Sequence, residues 1–146
     1  MITNSLNAIR KLLKDTFPEV TRIYLNTMPG EFDRPCFLVQ QVTATEQHLN
    51  KKMYSARFTW QIVYFAPIDT VGNPDTFNQF DVAGRLKKAI MENMVLVSPD
   101  NGTVFHVLDC TGGPRDAEVY ITVRLETEYS RSEPEFEKMQ ELDIDV

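Results

Sequence analysis

The sequence holds two cysteines (Cys36 and Cys110), two histidines (His48 and His106), six glycines and one tryptophan. Both cysteines sit in hydrophobic stretches and form no CxxC pair, so buried free thiols in a reducing compartment are expected rather than a disulfide framework. Two histidines in separate strands, with no HExxH spacing, leave a catalytic metal centre short of ligands. No apolar run approaches the roughly 20 residues needed to cross a bilayer, and the N-terminus lacks the apolar segment of a secretory signal. A protein soluble where it is made is expected. A concentrated basic region is also missing, which argues against general or sequence-specific nucleic-acid binding.

What is present is enough for a core. The 146 residues are 42% hydrophobic, with nine Phe and five Tyr, the usual content of one self-sufficient domain. The net charge of −6 has a location. Residues 1–125 carry equal numbers of acidic and basic side chains, and residues 126–146 carry eight acidic against two basic. The expected organisation is a single domain over 1–129 and an acidic C-terminal extension or arm over 130–146.

Leu6, Ile9, Leu13 and Phe17 recur at helical spacing behind a cap at Asn4 or Ser5, and Leu12 widens the stripe until Pro18 stops it. A short strand at 22–25 leads into an irregular loop, Met28 to Pro35. From Cys36 to about Gln47 a long strand is expected, with Leu38, Val42 and Ala44 on one side and Phe37, Val39 and Gln41 on the other. After a turn at 50–52, Phe58, Trp60, Ile62 and Tyr64 alternate with Thr59, Gln61, Val63 and Phe65.

A linker from Pro67 to Pro74 precedes a second helix starting near Asp75, with Phe77, Phe80, Ala83, Leu86, Ile90 and Met94 as its apolar stripe and Lys87 and Lys88 facing solvent. A brief strand at 95–97 and a strand from Thr103 to Cys110 follow. Gly112-Gly113-Pro114-Arg115-Asp116 reads as a turn into a last strand, where Val119, Ile121, Val123 and Leu125 face inward. The order α-β-β-β-α-β-β-β predicts a two-layer α+β domain, a mostly antiparallel twisted sheet packed against two helices.

Chemistry is scarce. His106 and Cys110 share a strand face at period two but too far apart for contact, and His106 is expected half-buried; no base and orienting group accompany either thiol. Gly112-Gly113 lacks the Lys-Ser or Lys-Thr of a phosphate loop. The acidic pairs Glu133/Glu135 and Asp143/Asp145 lack the ligand order of a calcium loop. Phe58, Trp60, Tyr64 and Tyr120 have no interleaved cations, since Arg57, Arg115 and Arg124 are scattered, so core or subunit interface is favoured over base stacking. No catalytic residue, cofactor or metal is expected. For the C-terminal residues two readings stand: a solvated acidic terminus, or an arm packing on a neighbouring subunit through Phe136, Met139, Leu142, Ile144 and Val146.

The layout resembles the tail terminator, or tail completion, proteins of long-tailed phages and phage-derived tail-like elements. The resemblance is carried by the opening helix from Leu6 to Val20, the loop ending in Arg34-Pro35-Cys36-Phe37-Leu38-Val39, the hairpin closing in Phe58 to Phe65, and the helix through Phe80, Leu86 and Ile90. It covers about residues 1–129; the acidic extension is longer than the family pattern.

The resemblance implies a non-enzymatic homo-oligomer, a hexameric ring in the virion tail that is assembled in the host bacterial cytoplasm. Such a ring stops polymerisation of the tail tube protein and presents the joining surface to the head-tail connector protein, and in contractile tails also meets the sheath protein. Its subunits need two different matching surfaces, expected on the outward hairpin face with Gln41, Arg57 and Gln61, on the loop with Met28, Phe32 and Arg34, and on the arm with Phe136, Met139, Leu142 and Ile144. An acidic channel lining through Glu126 or Glu128 is a further possibility that sequence does not place. The alternatives are a head-to-tail adaptor or minor tail protein of the same particle, and, from another class, a small soluble binding module.

Overall fold

The computed structural model describes residues 1–131. Its elements are α1 (Ile2–Thr16), β1 (Ile23–Leu25), β2 (Cys36–His48), β3 (Met53–Phe65), α2 (Thr76–Glu92), β4 (Val95–Val97), β5 (Val104–Arg115) and β6 (Glu118–Ser130). The strands form one sheet in the order β1-β2-β3-β6-β5-β4, parallel only between β1 and β2. This is the mixed α+β fold and element order that the sequence pattern predicts.

Both helices lie on one face. Ala8, Ile9, Leu13 and Phe17 from α1 and its end, and Val82, Ala83, Leu86 and Ile90 from α2, pack with Phe58, Trp60, Ile62, Tyr64, Val119, Ile121, Val123 and Leu125 of the central strands. Burying each such large apolar side chain contributes about 1.5–3 kcal/mol, so the β3–β6 pair is the centre of the core.

Several local expectations need correction. Neither Asn4 nor Ser5 caps α1: Met1 stands at its N-cap position without a side-chain cap. Ser5 is buried within the helix, where its hydroxyl donates to the Ile2 carbonyl (2.7 Å) and accepts from the Trp60 indole (3.0 Å). A polar group is thereby kept hydrogen-bonded inside an apolar layer.

In β2 the register slips between Gln41 and Thr43, leaving Val42 as a bulge residue that is 54% exposed. The extra residue reverses the alternation. Gln41, opposite Trp60, and Ala44, opposite Phe58, therefore share the helix-side face with Phe37 and Val39. Gln41 does not lie beside Gln61 on the outward face as expected.

The inward stripe of α2 is Gln79, Val82, Ala83, Leu86 and Ile90, while Phe77, Phe80 and Met94 are exposed. Spacings of three and four fit two phases of this helix. The choice follows the Gln79 side chain, whose amide donates to the Asp116 carbonyl (2.8 Å) and locks α2 onto the sheet end. Lys88 is exposed and Lys87 half-buried.

Finally, Gly112 to Arg115 belong to β5, paired with Ile121 to Glu118. The turn is Asp116-Ala117 alone. A second bulge at Leu108 also separates His106, on the outward face and exposed, from Cys110, on the helix side and half-buried rather than buried.

Candidate assembly surfaces

Catalytic equipment does not converge among the described residues, where no group of three His, Cys, Asp or Glu is placed to hold a metal ion. Burial pushes both thiols, Cys36 and Cys110, above their ordinary pKa, away from the reactive thiolate. An open cleft of about 440 Å³ between α1 and the β4–β5 turn is lined by Asn7, Arg10, Lys11, Lys14, Asp15, Pro99 and Asp100, and Lys11 is already paired with Asp15 at 2.8 Å.

The outward face of the sheet is graded along the strands. At one end stand Leu38, Val63 and Tyr120 in register, next to Phe65. The 28–35 loop lies against this end: the Phe32 ring meets Phe65 edge-on with centroids 5.0 Å apart. The Arg34 guanidinium sits over both rings, at 5.6 and 5.4 Å, and donates to the Ala66 carbonyl at 3.1 Å. Cation–π contacts and a backbone acceptor fasten the loop to the sheet. Arg34 and Phe32 thus make contacts within the subunit and, like Met28, are half-buried.

The middle of the face is polar and uncharged, with Gln40, Gln61, Thr122 and Thr111 in one row. At the other end Arg57 stands directly opposite Glu126 and is ion-paired to it, and Arg124 grips Asp109 with Nε 2.9 Å from both carboxylate oxygens. The Arg124 hydrogen bonds hold Asp109 below the usual carboxylate range. Of the outward residues named from sequence, Gln61 and Arg57 share this face; Gln41 does not. Phe136, Met139, Leu142 and Ile144 lie outside the described residues.

Two lateral edges were not legible in the sequence. Toward β1, the Phe37 N–H donates to the Arg22 carbonyl (3.0 Å), and the Gln41 N–H to the Asn26 side chain (3.2 Å). The β2 residues that turn their backbone groups to this side are those opposite Tyr64, Ile62 and Trp60. Past the bulge the same parity falls on Ala44, Glu46 and His48, opposite Phe58, Ala56 and Tyr54, where no strand of the described residues adjoins them. β1 is three residues long and stops short of them. At the far side β4 pairs only with Val104 to His106, so Cys110, Gly112 and Pro114 turn outward without a neighbour among the described residues. Pro114, which has no N–H to offer, occupies an outward-turned position, where a strand tolerates it.

A scan against family models matches residues 6–137 to a family described as phage tail terminator protein. The chain belongs to the phage tail terminator family. Among curated proteins nothing matches the sequence. The role that follows is that of a terminator in the phage tail, a structural component of the virion that meets other tail components. Among the described residues no helix is long and apolar enough to cross a membrane. The match ends within the acidic segment, so residues 138–146 lie beyond the family pattern.

Proposed function

We propose that this terminator caps the tail tube as a closed homo-oligomeric ring, hexameric in the assembled particle. One ring face matches the last tube ring, and the other refuses further tube subunits and meets the head connector or the end of the sheath. In this reading residues 1–129 act as one α+β domain, catalysis plays no part, and assembly takes place in the host cytoplasm.

The observation that carries the reading is the pair of unlike free edges. The four long strands β2, β3, β6 and β5 alternate in direction across the sheet. With an even number, β2 of one copy set beside β5 of the next continues the antiparallel alternation. Such a contact is heterologous, and a heterologous contact closes into a ring when its rotation permits. Exposed long edges without lysine or proline are uncommon in monomers, and Val42 to His48 is such an edge. The graded outward face would then line the bore, where Arg57 and Arg124 are neutralised by Glu126 and Asp109. A bore whose cations are paired repels or ignores DNA rather than gripping it.

Size-exclusion chromatography with light scattering, on the chain alone and with its cognate tube protein, tests this. A ring, alone or at tube ends, is expected. Glu46→Pro removes one outward N–H of β2 and leaves its ladder to β3, so the fold should persist while the ring is lost. A monomer that ignores tube ends would overturn the reading.

A further inference from the structure

We propose that the outward face of α2 is the docking site for the C-terminal segment, residues 132–146, of a neighbouring copy. Phe77 is 88% exposed and Phe80 61%, and Met91 is also exposed. On a helical wheel these three fall with Gly84 and Lys88 within one arc of roughly 80°, on the side away from Val82, Leu86 and Ile90. A surface helix with one face already buried does not carry a second aromatic face without a use for it. Ile68 and Val71, in the loop leading into α2, are exposed as well.

The segment complements this face in pattern and charge. Phe136, Met139, Leu142 and Val146 recur at helical spacing, and residues 132–146 carry six acidic side chains against one lysine. On α2, Lys87 and Lys88 make no ion pair among the described residues, whereas Arg85 is held by Glu19 and Asp81.

Reach decides between the same copy and the next. The first turn of α2 is fixed to the Phe65–Glu118 end of the sheet, with the Tyr64 hydroxyl donating to Asn78 (2.6 Å) and Gln79 to Asp116. Arg131 is fixed at the opposite end, its N–H donating to the Lys52 carbonyl at 2.8 Å. Between them runs the whole of β6, 13 residues, or about 40 Å. Met139 is eight residues beyond Arg131, at most about 29 Å of fully extended chain. Met139 therefore cannot reach Phe77 of its own chain, and a neighbour's Phe77 is the available target. The contact requires two copies to meet and does not depend on ring closure.

The test uses two full-length variants, Phe80→Cys and Met139→Cys, mixed in equal amounts and mildly oxidised, with the wild-type chain as the control for Cys36 and Cys110. A disulfide-linked heterodimer is expected, at least about tenfold more abundant than with Thr43→Cys replacing Phe80→Cys. Adding Phe77→Asp to the acceptor should suppress it to the background. A yield equal to the Thr43→Cys control would overturn the proposal. So would an intrachain disulfide in the diluted Phe80→Cys/Met139→Cys double variant. A heterodimer in a preparation with no ring would leave this contact standing and remove the ring; a ring without the heterodimer would do the reverse.

Discussion

Gly112 lies against the backbone of Tyr120: at its φ of +120° a Cβ added there would stand 1.9 Å from the Tyr120 carbonyl oxygen.

 An L side chain at Gly112 would meet backbone rather than a flexible side-chain end, in a conformation it rarely adopts. Gly112→Ala should cost about 2–4 kcal/mol and lower the thermal midpoint by roughly 10 °C. Gly113→Ala, with nothing within 4 Å of the added Cβ, is the control and should change it little. Equal midpoints for the two variants would contradict the close approach of β5 to β6.

Ser5 and Trp60 make the second prediction. The indole N–H is buried and donates to the Ser5 hydroxyl, so Ser5→Ala strands a donor in the core and should cost about 1–3 kcal/mol. Chemical denaturation read by Trp60 fluorescence checks both the loss and its site, since the chain has one tryptophan. A midpoint within error of the parent would show that the hydrogen bond contributes nothing net.

The third prediction concerns alkaline pH. Burial pushes the Tyr64 phenol up to about 12. The folded value is raised above the unfolded one, near 10. The neutral phenol therefore contributes stability that is fully present below about pH 10 and is lost as pH rises towards about 12. Tyr64→Phe should flatten part of the stability loss across that window while costing some stability at neutral pH through the missing bond to Asn78. Burial raises Tyr129 in the same direction, so some of the alkaline loss should remain in the variant. An unchanged alkaline slope would contradict the assignment to Tyr64.

These residues also show what the sequence disclosed. The alternation of β3 and β6 was legible because Phe58 to Tyr64 and Val119 to Leu125 keep one apolar face without interruption. β2 and β5 were legible as strands but not in their faces, because the bulges at Val42 and Leu108 each insert one residue with no composition signal. In α2 the pattern was ambiguous for the opposite reason: apolar residues occupy two faces, and Gln79, a polar residue, marks the buried one. Arg34 is expected from sequence on a matching surface of its loop, and its contact within the subunit depends on Phe65, distant in sequence, being carried to it by the fold. The free edges belong to strand order, which single-strand periodicity does not encode.

Arg57 offers a way to separate folding from assembly. It faces Glu126 directly across the β3–β6 pair, with the arginine side chain 54% exposed and the glutamate 25%. Arg57→Glu places two carboxylates opposite each other and should cost about 0.2–1 kcal/mol. The exchange Arg57→Glu/Glu126→Arg restores an opposite-charge pair in the same register and should recover most of that loss. The surface, however, is changed, because a cation and an anion have traded strands on the outward face. If this face contacts the tube or lines a bore, the exchanged variant should match the parent in denaturation midpoint yet differ from it in binding to tube ends at low salt. Recovery of both stability and tube binding would confine Arg57 to a structural role within the sheet and move the contact surface to the edges.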